Sequence, residues 1–276
     1  MSGFFRLERP AEFGGAVAHL VMARPDKANA MSPEFWEELP AHIAALEADA
    51  SCRALVISGE GRHFTAGMDL SAFEGITKLA EGEPGRGAYA LRALILRLQR
   101  SITALEDARF PVIAAIHGAC IGGGIDLVTA ADIRIASVEA VFAVEEINIG
   151  MAADVGTLQR LPRLIPPGIA RELCLTGRRF TAEEARGWGL LNALHDGREA
   201  TVAAALAMAG EIAAKSPLAA AGVKRSLVYA AEHSVADGLD QIATWNAGAL
   251  RAADLTEAIT ARAQKRRALF PDLPAA

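Results

Sequence analysis

The chain reads as an α/β fold followed by a helical C-terminal part. Three observations predict it. Short apolar strand segments alternate with helical ones up to about Gly156, and beyond that point the pattern is mostly helical. The two buried strands at 55–57 and 111–116 each run into a glycine-rich loop. No internal repeat at a fixed period interrupts this order.

The elements follow in order. Segment 16–21 is a short strand, broken by Arg24-Pro25-Asp26-Lys27. Ser32-Pro33 predicts a helix start, with Ser32 as N-cap and Pro33 at the first helical position. Phe35, Leu39, Ile43 and Leu46 then recur at helical spacing. After the strand at 55–57 comes a glycine-punctuated loop, 59–67. Segment 75–87 holds five glycines or prolines and four charges, which predicts a mobile surface loop. Residues 89–107 form an amphipathic helix with Leu91, Leu94, Ile95, Leu98, Ile102 and Leu105 on one face. The strand at 111–116 leads through a second glycine loop into a helix over 124–130, then short strands at 133–136 and 141–143. Thr181 with Glu184 resembles a capping box. Alanine-rich helices are expected over 200–214 and 216–231, and a last helix over 255–269. Helix faces of this composition pack on other subunits, so oligomerisation is expected.

Composition narrows the function. With 276 residues, 52% apolar and 22% charged, the chain can build the core of one large domain, with or without a small appendage. A net charge of −5 gives no reason to expect nucleic acid. No apolar run reaches the ~18 residues of a membrane span, and residues 1–10 do not read as a signal peptide. The end of the chain, Leu273-Pro274-Ala275-Ala276, is not a Ser-Lys-Leu address. Cys52, Cys120 and Cys174 are far apart and without histidine at ligand spacing, so they read as reduced core cysteines in a cytoplasmic protein, with no metal site. The basic run Lys265-Arg266-Arg267 reads either as a solvated helix face or as a site for a phosphate-bearing ligand or a neighbouring subunit.

Chemistry concentrates in two loops and three acids. The loops are 61–70 and 117–126, and their small residues let a ligand approach the backbone. A glycine run that opens a helix also presents free N–H groups to negative charge. Two such loops side by side would aim two N–H groups at one oxygen, although glycine triplets such as Gly122-Gly123-Gly124 also serve as plain turns. The second loop is neither a Walker A motif nor G-x-G-x-x-G. Asp126, Glu146 and Asp154 lie in apolar surroundings with few cations to pair with them, where carboxylates trade protons near neutral pH. Each also has a plainer reading. Asp126 sits near a helix N-terminus, Glu146 stands beside Glu145 in a loop, and Asp154 precedes a turn it could cap. His63 and His117 flank the loops and read as loop histidines rather than bases. Ser58, Ser71 and Ser137 lack the G-x-S-x-G setting of a hydrolase nucleophile.

Taken together, Arg24-Pro25 with Asn29-Ala30, the segment 64–70, the segment 121–126, Gly156-Thr157-Leu158-Gln159-Arg160-Leu161 and the stretch from Thr176-Gly177 to Gly189-Leu190 resemble the crotonase (enoyl-CoA hydratase/isomerase) superfamily. The resemblance runs in order over nearly the whole chain. It implies a ββα spiral core with the CoA and active site over 1–198 and a C-terminal helical trimerisation region over 199–276. It also implies an acyl-CoA thioester substrate, no separate cofactor because CoA is part of that substrate, and a homotrimer or dimer of trimers. Carried onto these residues, the N–H groups of Met68 and Gly123 form the oxyanion hole. Arg24, Ala28, Ala66, Gly67, Met68, Asp69, Leu70, Gly123 and Gly124 line the substrate and CoA site.

Hydratases of the superfamily carry glutamates at the positions of Asp126 and Glu146, and a small glycine-rich stretch where this chain has Asp154. The two departures, a shorter acid at 126 and an added one at 154, resemble the Δ3,5-Δ2,4-dienoyl-CoA isomerases, as does the helix with Tyr89, Leu91, Arg92 and Gln99. That likeness implies Asp154 as base at C2 and Glu146 as acid at C6, with Asp126 secondary. The division between Glu146 and Asp154 stays open at this stage. Three alternatives remain: a 2-enoyl-CoA hydratase using Asp126 and Glu146, a Δ3-Δ2-enoyl-CoA isomerase, and a non-catalytic acyl-CoA binder.

Overall fold

The computed structural model describes residues 3–69, 83–250 and 253–275. Its centre is a six-stranded sheet in the order β1-β2-β3-β4-β6-β9. These strands are β1 (Phe5–Glu8), β2 (Val17–Met22), β3 (Ala54–Gly59), β4 (Val112–Ile116), β6 (Ile133–Ser137) and β9 (Ala193–His195). Only β1 runs antiparallel to its neighbour; the other pairs are parallel. A second sheet joins β5 (Ala119–Ile121), β7 (Val141–Ala143) and β8 (Phe180–Thr181), and an isolated bridge from Thr65 to Cys120 extends it. Chain passing through β4 enters β5 after two residues, and β6 leads into β7 after three. Each turn of the chain therefore lays one strand in each sheet and then closes with a helix, which is the ββα spiral expected from the resemblance.

Side-chain alternation divides the core. On β3, Leu55 and Ile57 face a large cluster with Phe35 and Leu39 of α1 (Pro33–Ala48) and Ile102 and Leu105 of α2 (Pro84–Asp107). Ala54 and Val56 face the other way, with Val17, Ile113 and Ile135, under Ala205, Ala209 and Ala213 of α7 (Gly197–Ala213). Three alanines four residues apart let α7 lie close on the sheet. The division at 198/199 thus falls inside the first turn of a helix that covers the sheet. Between these come α3 (Gly123–Ala130), α4 (Thr157–Leu164), α5 (Pro167–Thr176) and α6 (Ala182–Gly187). Helices α8 (Pro217–Ala230), α9 (Val235–Ala249) and α10 (Ala253–Ala263) end the chain.

Buried Lys224 of α8 anchors this end to the core. Its Nζ donates to Leu105 O (2.7 Å) and Phe110 O (3.0 Å) and pairs with Asp132 (2.8 Å). Several boundaries differ from expectation. Helix α2 starts at Pro84, inside the segment read as a loop, because the Glu83 carboxylate caps it by accepting from the N–H groups of Gly85 and Arg86 (both 2.9 Å). The rest of that loop, 75–82, lies outside the described residues. Ser32 takes the cap position but gives no side-chain cap; its hydroxyl donates to Glu34 instead. Helix α9 was not expected, and α10 stops at Ala263 rather than 269, since Lys265 turns left-handed (φ +53°). Among the described residues, no single helix is long and apolar enough to cross a membrane.

Candidate active site

The two glycine loops leave the carboxyl ends of adjacent parallel strands, β3 and β4, and run side by side. Phe64 N–H donates to His117 O (2.8 Å), Thr65 N–H to Ala119 O (3.0 Å), and Ile121 N–H back to Thr65 O (3.2 Å). On its far side the first loop pairs with segment 28–31. Ala66 N–H donates to Ala28 O (2.9 Å), Met31 N–H to Gly67 O (2.8 Å) and Asp69 N–H to Met31 O (3.1 Å). Gly67 has φ +90°, and a Cβ there would lie 2.8 Å from Ile121 O, so both conformation and contact demand glycine.

Among the described residues, this pairing gives no backbone acceptor to the N–H groups of Met68 and Gly123. The Met31–Met68 bridge uses the N–H groups of Met31 and Asp69 and passes over that of Met68. Gly123 is the first residue of α3, where a backbone N–H has no intrahelical acceptor. Gly124 packs tightly, since a Cβ would meet Thr65 Cγ2 at 2.7 Å. Arg24 donates to Ala30 O (3.1 Å), lies 3.6 Å from the Asp69 carboxylate and stacks over Phe4. Leu70 lies outside the described residues.

Asn29 organises this region more than its place in a motif suggested. It is fully buried at φ +53°, next to Ala28 at φ +49°. Its amide accepts from Arg24 N–H (2.9 Å) and donates to Glu60 O (2.9 Å) and His63 O (2.8 Å). Left-handed backbone is where asparagine is enriched, and that was the available sequence signal.

The three acids are drawn to one wall. Asp126 is 1% exposed, and its Oδ1 accepts from both the N–H (2.6 Å) and the hydroxyl (2.8 Å) of Thr157, the first residue of α4. The N-cap of α4 is Gly156, which offers no side chain. Asp126 therefore caps a neighbouring helix across space, and Asp154 does not cap it. Glu146 opens a 3-10 turn, Glu146–Ile149, and is no exposed loop charge. Its Oε2 is buried without a hydrogen-bond partner, and a Cβ at Gly122 would lie 3.3 Å from its Oε1. The carboxylate thus rests against the backbone just ahead of Gly123. Asp154 is half-buried, forms no ion pair among the described residues, and is held by its own carbonyl, which accepts from Gln99 Nε2 (2.6 Å).

Electrostatics follow from that placement. Burial pushes the Asp126 carboxyl up to about 7; the Glu146 charge adds to the rise, the Thr157 bonds oppose it, and the Asp154 charge adds a little more. Glu146 is raised by burial; a bond from its own backbone N–H opposes this, and the charges of Asp154 and Glu145 add to the rise. Asp154 is raised by burial. The Cys174 thiol on α5 is raised by burial and then by Glu146 and Asp126, so it shares this wall, which no sequence feature indicated. Among the described residues, no three His, Cys, Asp or Glu side chains are grouped to hold a metal. A Ser58–His19–Glu8 chain does exist, with Ser58 Oγ 2.8 Å from His19 Nε2 and His19 Nδ1 3.3 Å from Glu8. Ser58 is fully buried, so no substrate reaches it.

The enoyl-CoA hydratase/isomerase family model matches residues 12–272. The chain belongs to this family. It is 43% identical over 252 residues to the human mitochondrial Delta(3,5)-Delta(2,4)-dienoyl-CoA isomerase, covering 91% of this chain and 77% of that protein. It is 42% identical over 260 residues to the peroxisomal isomerase of Arabidopsis thaliana, covering 94% of each. A solved enoyl-CoA hydratase from a Polaromonas species superposes with a TM-score of 0.87 at 28% identity, covering 97% of this chain and 99% of that one. The crotonase spiral is thus common to chains with different names. One expectation is corrected here. These relatives are named as mitochondrial and peroxisomal, so reduced cysteines and the sequence of the termini do not make this crotonase cytoplasmic.

Proposed function

We propose that the protein is a Δ3,5-Δ2,4-dienoyl-CoA isomerase. The observation that carries this reading is Asp154. It does not cap α4, it forms no ion pair among the described residues, and burial raises its pKa. The relatives named for the same reaction support it. The N–H groups of Met68 and Gly123 hold the thioester oxygen. Asp154 takes the proton from C2, and the C2–H electron pair joins the two double bonds as an extended enolate on that oxygen. Glu146 delivers its proton to C6, the electrons return, and the double bonds rest at 2,4. Four bonds separate C2 from C6, so two acids serve the two ends. Asp154 ends the cycle protonated and Glu146 ionised, and a proton passes back before the next turnover. Asp126 holds α4 through Thr157, and burial together with the charges of Glu146 and Asp154 raises its own carboxyl. Arg24, Ala28, Ala66, Gly67, Asp69 and Gly124 line the path of the CoA. No step in this scheme calls for a separate cofactor.

The second reading is 2-enoyl-CoA hydration by Asp126 and Glu146, favoured by the hydratase name of the Polaromonas structure. Against it, two Thr157 bonds already occupy Asp126 Oδ1. One preparation assayed on both 3,5-dienoyl-CoA and 2-enoyl-CoA separates the two. Isomerisation well above hydration is expected, and hydration alone would remove the isomerase reading. The same reading extends to a homotrimer, supported by exposed Val223, Leu227, Val235, Leu239 and Ile259 on the last three helices. A monomer mass by light scattering would refute it.

A further inference from the structure

The two oxyanion loops are tied together at their roots by a reciprocal pair of histidines. His63, on the first loop, accepts the Ala119 N–H of the second loop at Nδ1 (3.1 Å). His117, at the start of the second loop, meets Gly61 O of the first through Nε2 (3.0 Å). A carbonyl only accepts, so His117 Nε2 carries a proton. His117 Nδ1 is buried with no partner, where a second proton would be an unpaired donor. The contact is close: a Cβ on Gly118 (φ +56°) would meet His63 Nδ1 at 3.0 Å.

These ties sit where the loop register begins. Beyond them come the Phe64–His117, Thr65–Ala119 and Ile121–Thr65 backbone bonds and the Thr65–Cys120 bridge. That bridge joins positions 55 apart (120 − 65), and Met68 and Gly123 are also 55 apart (123 − 68). A slip of one residue at the roots would move their N–H groups out of step.

We propose that His63 and His117 are positioning residues that set the register of the two oxyanion loops, each as a neutral imidazole protonated on Nε2 and bare on Nδ1. The catalytic consequence rests on the role given above to Met68 and Gly123; the tautomers rest on the hydrogen bonds alone. The surroundings favour neutral rings. Burial lowers the pKa of both. The Arg62 charge lowers His63 further; at His117 the Arg198 and His63 charges oppose protonation, while the Gly61 bond and Glu139 favour it. Neither ring touches the reacting atoms in this scheme, which separates them from the three acids.

The test exploits which nitrogen does the work. Asn places an oxygen where His63 Nδ1 sits, and Gln places an N–H where His117 Nε2 sits. His63→Asn and His117→Gln are expected to keep kcat within about threefold, whereas His63→Leu and His117→Leu lose about tenfold to a hundredfold in kcat with KM little changed. Conservative variants no better than the leucine variants would overturn the proposal. On the unaltered protein, ¹H–¹⁵N correlation of the imidazoles should show both as Nε2–H tautomers, with the Ala119 amide protected from exchange. A proton on Nδ1 of either ring sinks the proposal even if no variant folds. Absence of 3,5-dienoyl-CoA turnover by the unaltered protein would remove the isomerase reading and leave the tautomers and the Ala119 amide to decide the tie.

Discussion

The loops that carry Met68 and Gly123 and the turns that carry Glu146 and Asp154 are built on opposite terms. Between Phe64 and Asp69 the first loop is held by backbone hydrogen bonds to the second loop and to segment 28–31, down to the left-handed Gly67 that permits the contact. The acid turns hold their backbones, and among the described residues their carboxylates form no ion pair with a cation. Glu146 Oε2 has no partner at all, and Asp154 is fixed through its carbonyl by Gln99. The proposed oxyanion role needs donors that do not reorganise, which a hydrogen-bonded loop pair provides. Acids without a cationic partner keep raised pKa values, which the proposed proton transfers need. Asp126 marks the boundary: it is an acid by type, but Thr157 holds it as firmly as a structural group.

That contrast can be broken from either side. The largest effect is expected for Asp154→Asn, which removes the proposed proton acceptor while keeping an oxygen for its own backbone N–H. Loss of about 10²–10⁴-fold in kcat on 3,5-dienoyl-CoA is expected, with Tm almost unchanged. Turnover near the unaltered rate would dismiss Asp154 as base. Gly67→Ala attacks the rigid side. The Cβ meets Ile121 O at 2.8 Å on a left-handed backbone, so a stability loss of about 1–3 kcal/mol is expected in denaturant titration, with a lower kcat. An unaffected variant would mean the loops yield, contrary to the comparison.

Asp126 sharpens the boundary with the smallest effect. Its folded pKa, about 7, is raised above the ordinary 3.8. Between those values the folded state binds the proton and the unfolded state does not. Its contribution is therefore full below about 3.8 and is lost as pH rises through about 7. Asp126→Asn keeps an oxygen for Thr157 but cannot ionise. Stability of the variant measured from pH 4 to 8 should fall less with rising pH than that of the unaltered chain. Parallel curves would show that Asp126 titrates normally.

How much was legible depended on whether the signal was local. The apolar stripe of α2 placed that helix, yet its start was read as loop, because Pro84 looks like a breaker until Glu83 is seen to cap it. Helix α9 was missed because none of its residues is buried, so it shows no stripe facing its own core. Its capping box, Ser234 with Asp237, was the available signal. Asp126 looked like a group favouring its own helix and instead caps α4, a partner 31 residues away in sequence. Glu146 beside Glu145 looked like a surface charge, and only its contact with Gly122 distinguishes it.

By itself the sequence determined the α/β order, the two glycine loops, the three acids and, through its motifs, the crotonase family. Those features are local: periodicity, turn residues and residue type act within a few positions of themselves. Tertiary structure alone decided that Asp126 is tied to Thr157 while Asp154 forms no ion pair among the described residues. It also decided that two loop histidines bind each other's loops. Each of those depends on partners about 30 to 60 residues apart, brought together only when the parallel strands set the register of the loops between them.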